Sequence, residues 1–181
     1  MEPIIQRPRF AFTTINPMYN REIITIAKAG KPQKEIQSDK FHTYKALWDT
    51  GATNNVITPK VVEELGLIPI GVSQNRHAGG ISTVNIYFVD ICLPNNLVIP
   101  RVRVSECADQ AGRFDFIIGM DIISLGDFSI TGQGERRMVS FCMPSTIQID
   151  YVSIANTMNA KLAQQQSGNA KSNNETAEPK S

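Results

Sequence analysis

The sequence predicts an all-β domain, a closed barrel of bent strands with one or two short helices. Three observations point there. Short β-branched or alternating apolar runs recur between residues 23 and 142. Glycine, asparagine and proline separate these runs. Only two stretches inside that body have the pattern of a helix, and many short strands with Gly-rich turns are the mark of a closed or strongly bent β structure.

The elements follow in order. Residues 23–27 (Ile-Ile-Thr-Ile-Ala) are short and β-branched. Residues 43–48 end in the apolar run Ala46-Leu47-Trp48. Val84, Ile86 and Phe88 alternate with Asn85 and Tyr87, as in a half-buried strand. Leu97, Ile99, Val102 and Val104 form a broken alternation, and Pro100 within it points to an edge or a bulge. Residues 114–118, 128–131 and 138–142 are further strand candidates. A helix is expected over 59–65, with Thr58 as N-cap, Pro59 at the first helical position and Gly66 as the stop. A brief helical turn is expected from about 121 to 125, capped by Asp121 and stopped by Gly126.

Composition changes near the end. From 159 onward there is no aromatic residue and one large aliphatic, Leu162. Tyr151, Ile154, Ala155, Met158 and Leu162 recur at helical spacing behind Asp150, a fitting N-cap. The expected organisation is an N-terminal extension (1–22), a β-rich domain (23–150), a short amphipathic helix (151–162) and a disordered tail (163–181). The tail is too polar to offset the entropy of ordering.

Charge and composition exclude several functions. The chain of 181 residues carries 18 Lys and Arg against 17 Asp and Glu. That balance argues against a nucleic-acid partner, which would draw a basic excess. No apolar run approaches the roughly 20 residues of a membrane helix, so no membrane association is expected. The first residues lack a secretory pattern, and the three cysteines are too few for a disulfide scaffold, which together point to a cytoplasmic location. His42, His77 and the cysteines show no metal-ligand spacing, so neither metal nor cofactor is expected.

The most informative stretch is Leu47-Trp48-Asp49-Thr50-Gly51-Ala52. A carboxylate after a buried strand is costly to place. The glycine offsets that cost by allowing backbone N–H groups to turn towards the carboxylate. Two further pieces follow. Gly79-Gly80-Ile81 looks like the tip of a mobile hairpin, and Ile117-Ile118-Gly119-Met120-Asp121 is an apolar strand that meets glycine and turns into a short helix.

This order resembles the retropepsin-like aspartic proteases, and looks closer to their cellular and bacterial members than to the retroviral ones. The resemblance spans about residues 23–141. It implies a single-lobe protease domain over 23–150 and hydrolysis of peptide bonds by two carboxylates sharing one proton. The chain has one Asp-Thr-Gly and no Asp-Ser-Gly. The second carboxylate is therefore expected from a homodimer, one Asp49 from each copy.

The resemblance further implies that Asp49 is catalytic and that Thr50, Gly51 and Ala52 complete its loop. Gly79, Gly80 and Ile81 would cover a peptide or protein substrate as a flap, and Ile117 would line a side-chain pocket. Gly119 would permit a tight chain crossing, and Asp121 would be structural. Thr53 and Met120 stand where retroviral members carry a bracing Asp and Arg, so that brace is absent. The alternative reading is a non-catalytic peptide-binding or dimerisation module with the same fold. A third is a latent monomer in which the residues before Ile23 cover the site.

Overall fold

The computed structural model describes residues 8–17, 21–77, 80–107, 112–133 and 135–175. In chain order the elements are β1 (Phe10–Pro17), β2 (Ile24–Gly30), a single 3-10 turn (Ser38–Lys40), β3 (His42–Trp48), β4 (Asn55–Ile57) and α1 (Pro59–Leu65). They continue with β5 (Gly71–His77), β6 (Gly80–Cys92), β7 (Val98–Glu106), β8 (Phe116–Ile118) and α2 (Met120–Ile123). β9 (Asp127–Gln133), β10 (Arg136–Met143) and α3 (Tyr151–Glu175) complete the described elements. The chain divides into two units, residues 1–146 and 147–181.

The larger unit is mostly β, as expected. Six strands close a barrel in the order β2-β3-β8-β4-β7-β6, and β6 returns to β2. Closure leaves these strands without a free edge. β5 pairs outside the ring with the first half of β6. Alternation along β3 buries Tyr44, Ala46 and Trp48, and the core continues through Ile57, Val61, Val89, Val104, Phe116 and Ile118.

A second sheet has the order β1-β10-β9. Its β1 comes from the segment expected as an N-terminal extension, and it pairs with β10 from Phe10 to Pro17. The sheet meets the barrel at Trp48. That ring stacks on Phe128 at 5.6 Å and lies 5.5 Å from Phe12 and 5.2 Å from Phe141. Its Nε1–H donates to the Thr25 hydroxyl at 2.9 Å, which satisfies the one polar atom of the buried indole.

The barrel seam depends on a buried carboxylate. Val89 pairs with Val102 and Ile91 with Ile99, so two residues of β7, Pro100 and Arg101, oppose the single residue Asp90. This is the bulge that Pro100 announces, and Arg101 takes a left-handed φ of 52°. Asp90 is fully buried and accepts two backbone N–H groups. Arg101 donates to Oδ1 at 2.8 Å and Gln33 to Oδ2 at 2.9 Å. It thus fastens the bulge and the loop after β2 at the point where Gly30 pairs with Asp90.

The helices keep to local rules with two differences. α1 spans the expected residues, and Gly66 ends it in the left-handed conformation (φ 55°). Thr58 occupies the N-cap position, but its side chain makes no cap bond; its carbonyl accepts the Val61 and Val62 N–H groups instead. In the smaller unit Asp150 caps α3, its Oδ1 accepting from Val152 and Ser153. α3 continues beyond residue 162 to Glu175, through the stretch expected as tail. The added residues are mostly Gln, Asn, Ser and Ala, whose intrinsic helix preferences carry no apolar signal for periodicity to detect.

Two measurements check this picture. Asp90→Ala strands two buried N–H groups and should destabilise the fold by about 2–5 kcal/mol. Asp90→Asn keeps one acceptor oxygen and should cost about half of that in urea denaturation. Burial, with the Glu64 carboxylate next, raises the Tyr44 phenol pKa; burial, with Glu106 next, raises that of Tyr87. A raised folded-state pKa makes a contribution that is complete below the ordinary phenol value and fades as pH rises through the folded value. Stability should therefore decline above about pH 10, with these two phenols ionising last in an ultraviolet titration.

Candidate active site

The site grows from two adjacent chain segments. β8 lies between β3 and β4, parallel to the first and antiparallel to the second. Asp49 is the residue after β3, and the loop 49–54 connects β3 to β4. The segment leaving β8 passes directly behind that loop. Four hydrogen bonds join that segment to residues 49–55. Asp49 N–H donates to the Ile118 carbonyl at 3.0 Å, Met120 N–H to the Ala52 carbonyl at 2.8 Å and Asp121 N–H to the Thr53 carbonyl at 3.2 Å. The fourth is the Gly119 N–H to the Asn55 side-chain oxygen at 2.9 Å.

The loop also closes on itself. Gly51 N–H donates to Asp49 Oδ1 at 2.8 Å, and Ala52 N–H to the Asp49 carbonyl at 3.2 Å. The first bond orients the carboxylate. Asp49 and Ala52 are half-buried, and Thr50 and Gly51 are exposed. The carboxylate thus stands at the surface on a loop that is anchored from below.

Gly119 is buried and has no room for a side chain. A Cβ there would lie 2.5 Å from the Asn54 carbonyl oxygen and 2.8 Å from that of Ala52. Both are backbone atoms, so neither can swing aside. α2 begins at Met120 with Gly119 in the cap position, one residue before the expected start. Asp121 accordingly lies inside the first turn and does not cap it.

Around Asp49 the register sets an apolar row. Leu47 of β3 pairs with Ile117 of β8, which pairs with Val56 of β4. All three are half-buried, whereas their neighbours Trp48, Ile118 and Ile57 point into the core. Leu47 precedes Asp49 at strand spacing, so this face continues towards the carboxylate. Ile117 was expected here from sequence. Leu47 and Val56 were not, although their alternation with buried neighbours was available as a signal.

Of the remaining expected residues, Gly80 and Ile81 begin β6. His77 pairs with Gly80, and Gly80 has φ +122°. Ile81 is exposed. Gly79 lies outside the described residues. Asn55 is a residue the sequence reading passed over. Its partner is 64 positions away, and nothing local distinguishes it from Asn54 beside it. Among the described residues no group of three or more His, Cys, Asp or Glu side chains could hold a metal ion. No helix among them is long and apolar enough to cross a membrane.

The chain thus combines a closed six-stranded barrel, an Asp-Thr-Gly-Ala loop and a glycine crossing behind it. Residues 35–122 match the family model described as an aspartyl protease, a segment that contains both Asp49 and Gly119. Solved structures similar to this chain include a retropepsin-like aspartic protease from Rickettsia conorii, at 11% identity and a TM-score of 0.48, covering 76% of this chain and 98% of that one. A Simian Foamy Virus protease is similar at 15% identity and a TM-score of 0.37, over 55% of this chain and 92% of that one. The retroviral protease-like domain of Ddi1 from Leishmania major is similar at 20% identity and a TM-score of 0.37, over 57% and 78%. No curated protein matches the chain.

The crossing has a direct test. Gly119→Ala should cost about 3 kcal/mol, at the upper end for an overpacked site, because the new methyl meets fixed backbone. Thermal unfolding of the variant beside the parent measures it.

Proposed function

We propose that the protein is an aspartic endopeptidase that works as a homodimer. One observation carries the reading: a half-buried Asp49, its carboxylate held by the Gly51 N–H, stands on an anchored loop beside the row Leu47, Ile117 and Val56. A structural Asx turn needs no such row and no glycine crossing beneath it.

The chemistry requires a second carboxylate, and the chain has no second Asp-Thr-Gly. Two copies related by a two-fold axis would bring their Asp49 side chains together. Two like charges at hydrogen-bond distance cannot both ionise, so the pair holds one proton. The ionised member takes a proton from water as the water oxygen attacks the peptide carbonyl carbon. The protonated member gives its proton to the carbonyl oxygen. In the collapse of the tetrahedral diol one hydroxyl returns its proton to the ionised carboxylate, the C–N bond breaks, and the amine leaves with the proton of the other, so the pair again holds one proton. Thr50 would link the two loops across the axis, and the Gly51 backbone would bond to substrate.

An extended peptide fits the rest of the surface. Leu47, Ile117 and Val56 would receive an apolar side chain next to the cleaved bond. Gly79, Gly80 and Ile81 would close over the peptide, with backbone pairing supplying affinity and side-chain pockets supplying selectivity. Neither a metal nor a cofactor enters this mechanism.

The test is cleavage of a diverse peptide mixture by the parent and by Asp49→Asn, read by mass spectrometry across acid to neutral pH. Asn keeps the shape of the side chain but cannot share a proton. Cleavage should fall by about 10³-fold or more in the variant, and sedimentation of the parent should give twice the 20.0 kDa chain mass. Equal cleavage by both proteins would sink the assignment. A peptide that binds without being cut would favour a binding module.

A further inference from the structure

Asn55 is 1% exposed, a buried amide at the start of β4. Val56 pairs with Ile117 across the antiparallel β4–β8 ladder, so Asn55 sits one step beyond the last pair, where the two chains diverge. Its side-chain oxygen takes up the ladder at that point by accepting the Gly119 N–H at 2.9 Å. The acceptor must be the carbonyl oxygen of the amide, since the NH2 group cannot accept.

That N–H has no ready substitute partner. Gly119 is buried, and the Ala52 and Asn54 carbonyls fill the place where its Cβ would be. With an apolar side chain of similar volume at position 55 the N–H would remain unsatisfied. Of the four bonds between residues 49–55 and the segment 118–121, three run from backbone to backbone. The fourth alone depends on a side chain, and it joins the crossing residue itself.

We infer that Asn55 is a positioning residue, whose amide oxygen holds Gly119 and through it sets the loop that carries Asp49. It does not touch substrate. The inference rests on the protease reading. Its consequence is specific: in a site that needs two carboxylates within hydrogen-bond distance across a two-fold axis, each loop displacement is duplicated by symmetry. Loss of the acceptor therefore lowers the rate of the chemical step, while the surfaces that hold the peptide stay as they are.

The experiment compares the parent with Asn55→Leu, Asn55→Ala and Asn55→Asp, with Asp49→Asn as control. All are measured at concentrations where sedimentation gives the parent's assembly state. Leu keeps the volume without the acceptor, Ala adds no bulk, and Asp returns an acceptor oxygen to the same place. The first two should lower kcat by about 10- to 100-fold, the scale of a sub-ångström to ångström misplacement. Their KM should stay within about twofold of the parent's. Asp should recover at least half of the lost kcat on a logarithmic scale. If Leu does not fold, Ala carries the comparison.

A parental kcat in either apolar variant would overturn the inference while leaving the protease reading intact. So would a loss confined to KM, or an Asp variant as slow as Ala. A parent without Asp49-dependent cleavage would overturn the protease reading, and the positioning role with it.

Discussion

The structure turns on one steric constraint: two backbone segments cross so closely at Gly119 that no side chain fits between them. A Cβ would sit 2.5 Å from the Asn54 carbonyl oxygen. That closeness lets the Met120 and Asp121 N–H groups reach the Ala52 and Thr53 carbonyls, and lets Asp49 N–H reach the Ile118 carbonyl. The loop bearing the carboxylate is therefore fixed by the strand that passes beneath it. The same arrangement places β8 between β3 and β4, which completes the ring of the barrel.

Two devices support this crossing from further away. Trp48, one residue before Asp49, is the largest side chain of β3. The second sheet accounts for its size: Phe12, Phe128 and Phe141 enclose the indole, and Thr25 takes its N–H. Trp48 and Phe141 are buried in this cluster and Phe12 and Phe128 are partly buried against them, so aromatic surface is removed from water here. The N-terminal strand is thus part of the support behind β3. At the other side of the barrel, Asp90 replaces missing ladder bonds at the β7 bulge and ties the loop after β2 to it. The aromatic cluster packs behind β3, and the buried Asp90 carboxylate takes the backbone N–H groups left at the β7 bulge.

Much of this was legible in the residues. Alternation located β6, short β-branched or apolar runs located β2, β3, β8, β9 and β10, proline marked the β7 bulge, and Thr58-Pro59 with Gly66 framed α1. The weakly patterned elements were not legible. β4 has only three residues, too few for a period to register. β5 runs Gly-Val-Ser-Gln-Asn-Arg-His, mostly polar, because it pairs outside the ring and is not required to bury both faces. β1 holds the strand-favouring run Phe-Ala-Phe-Thr-Thr-Ile, but its partners lie 119 to 133 positions later and nothing nearby in the chain indicates them. The polar half of α3 lacked an apolar stripe to reveal it.

The sequence by itself determined the local stops and starts and the two motifs on which the proposed chemistry rests. Asp49-Thr50-Gly51-Ala52 and Ile117-Ile118-Gly119 are contiguous, and their meaning is carried by bonds between near neighbours, such as Gly51 N–H to Asp49 Oδ1. Tertiary structure alone decided what those motifs rest on. Asn55 meets Gly119 across 64 residues, Asp90 meets Gln33 across 57, and Trp48 meets rings from three other strands. Each of these partners is chosen by strand order and register, which are properties of the closed barrel as a whole. A residue's own neighbours in the chain hold no record of them.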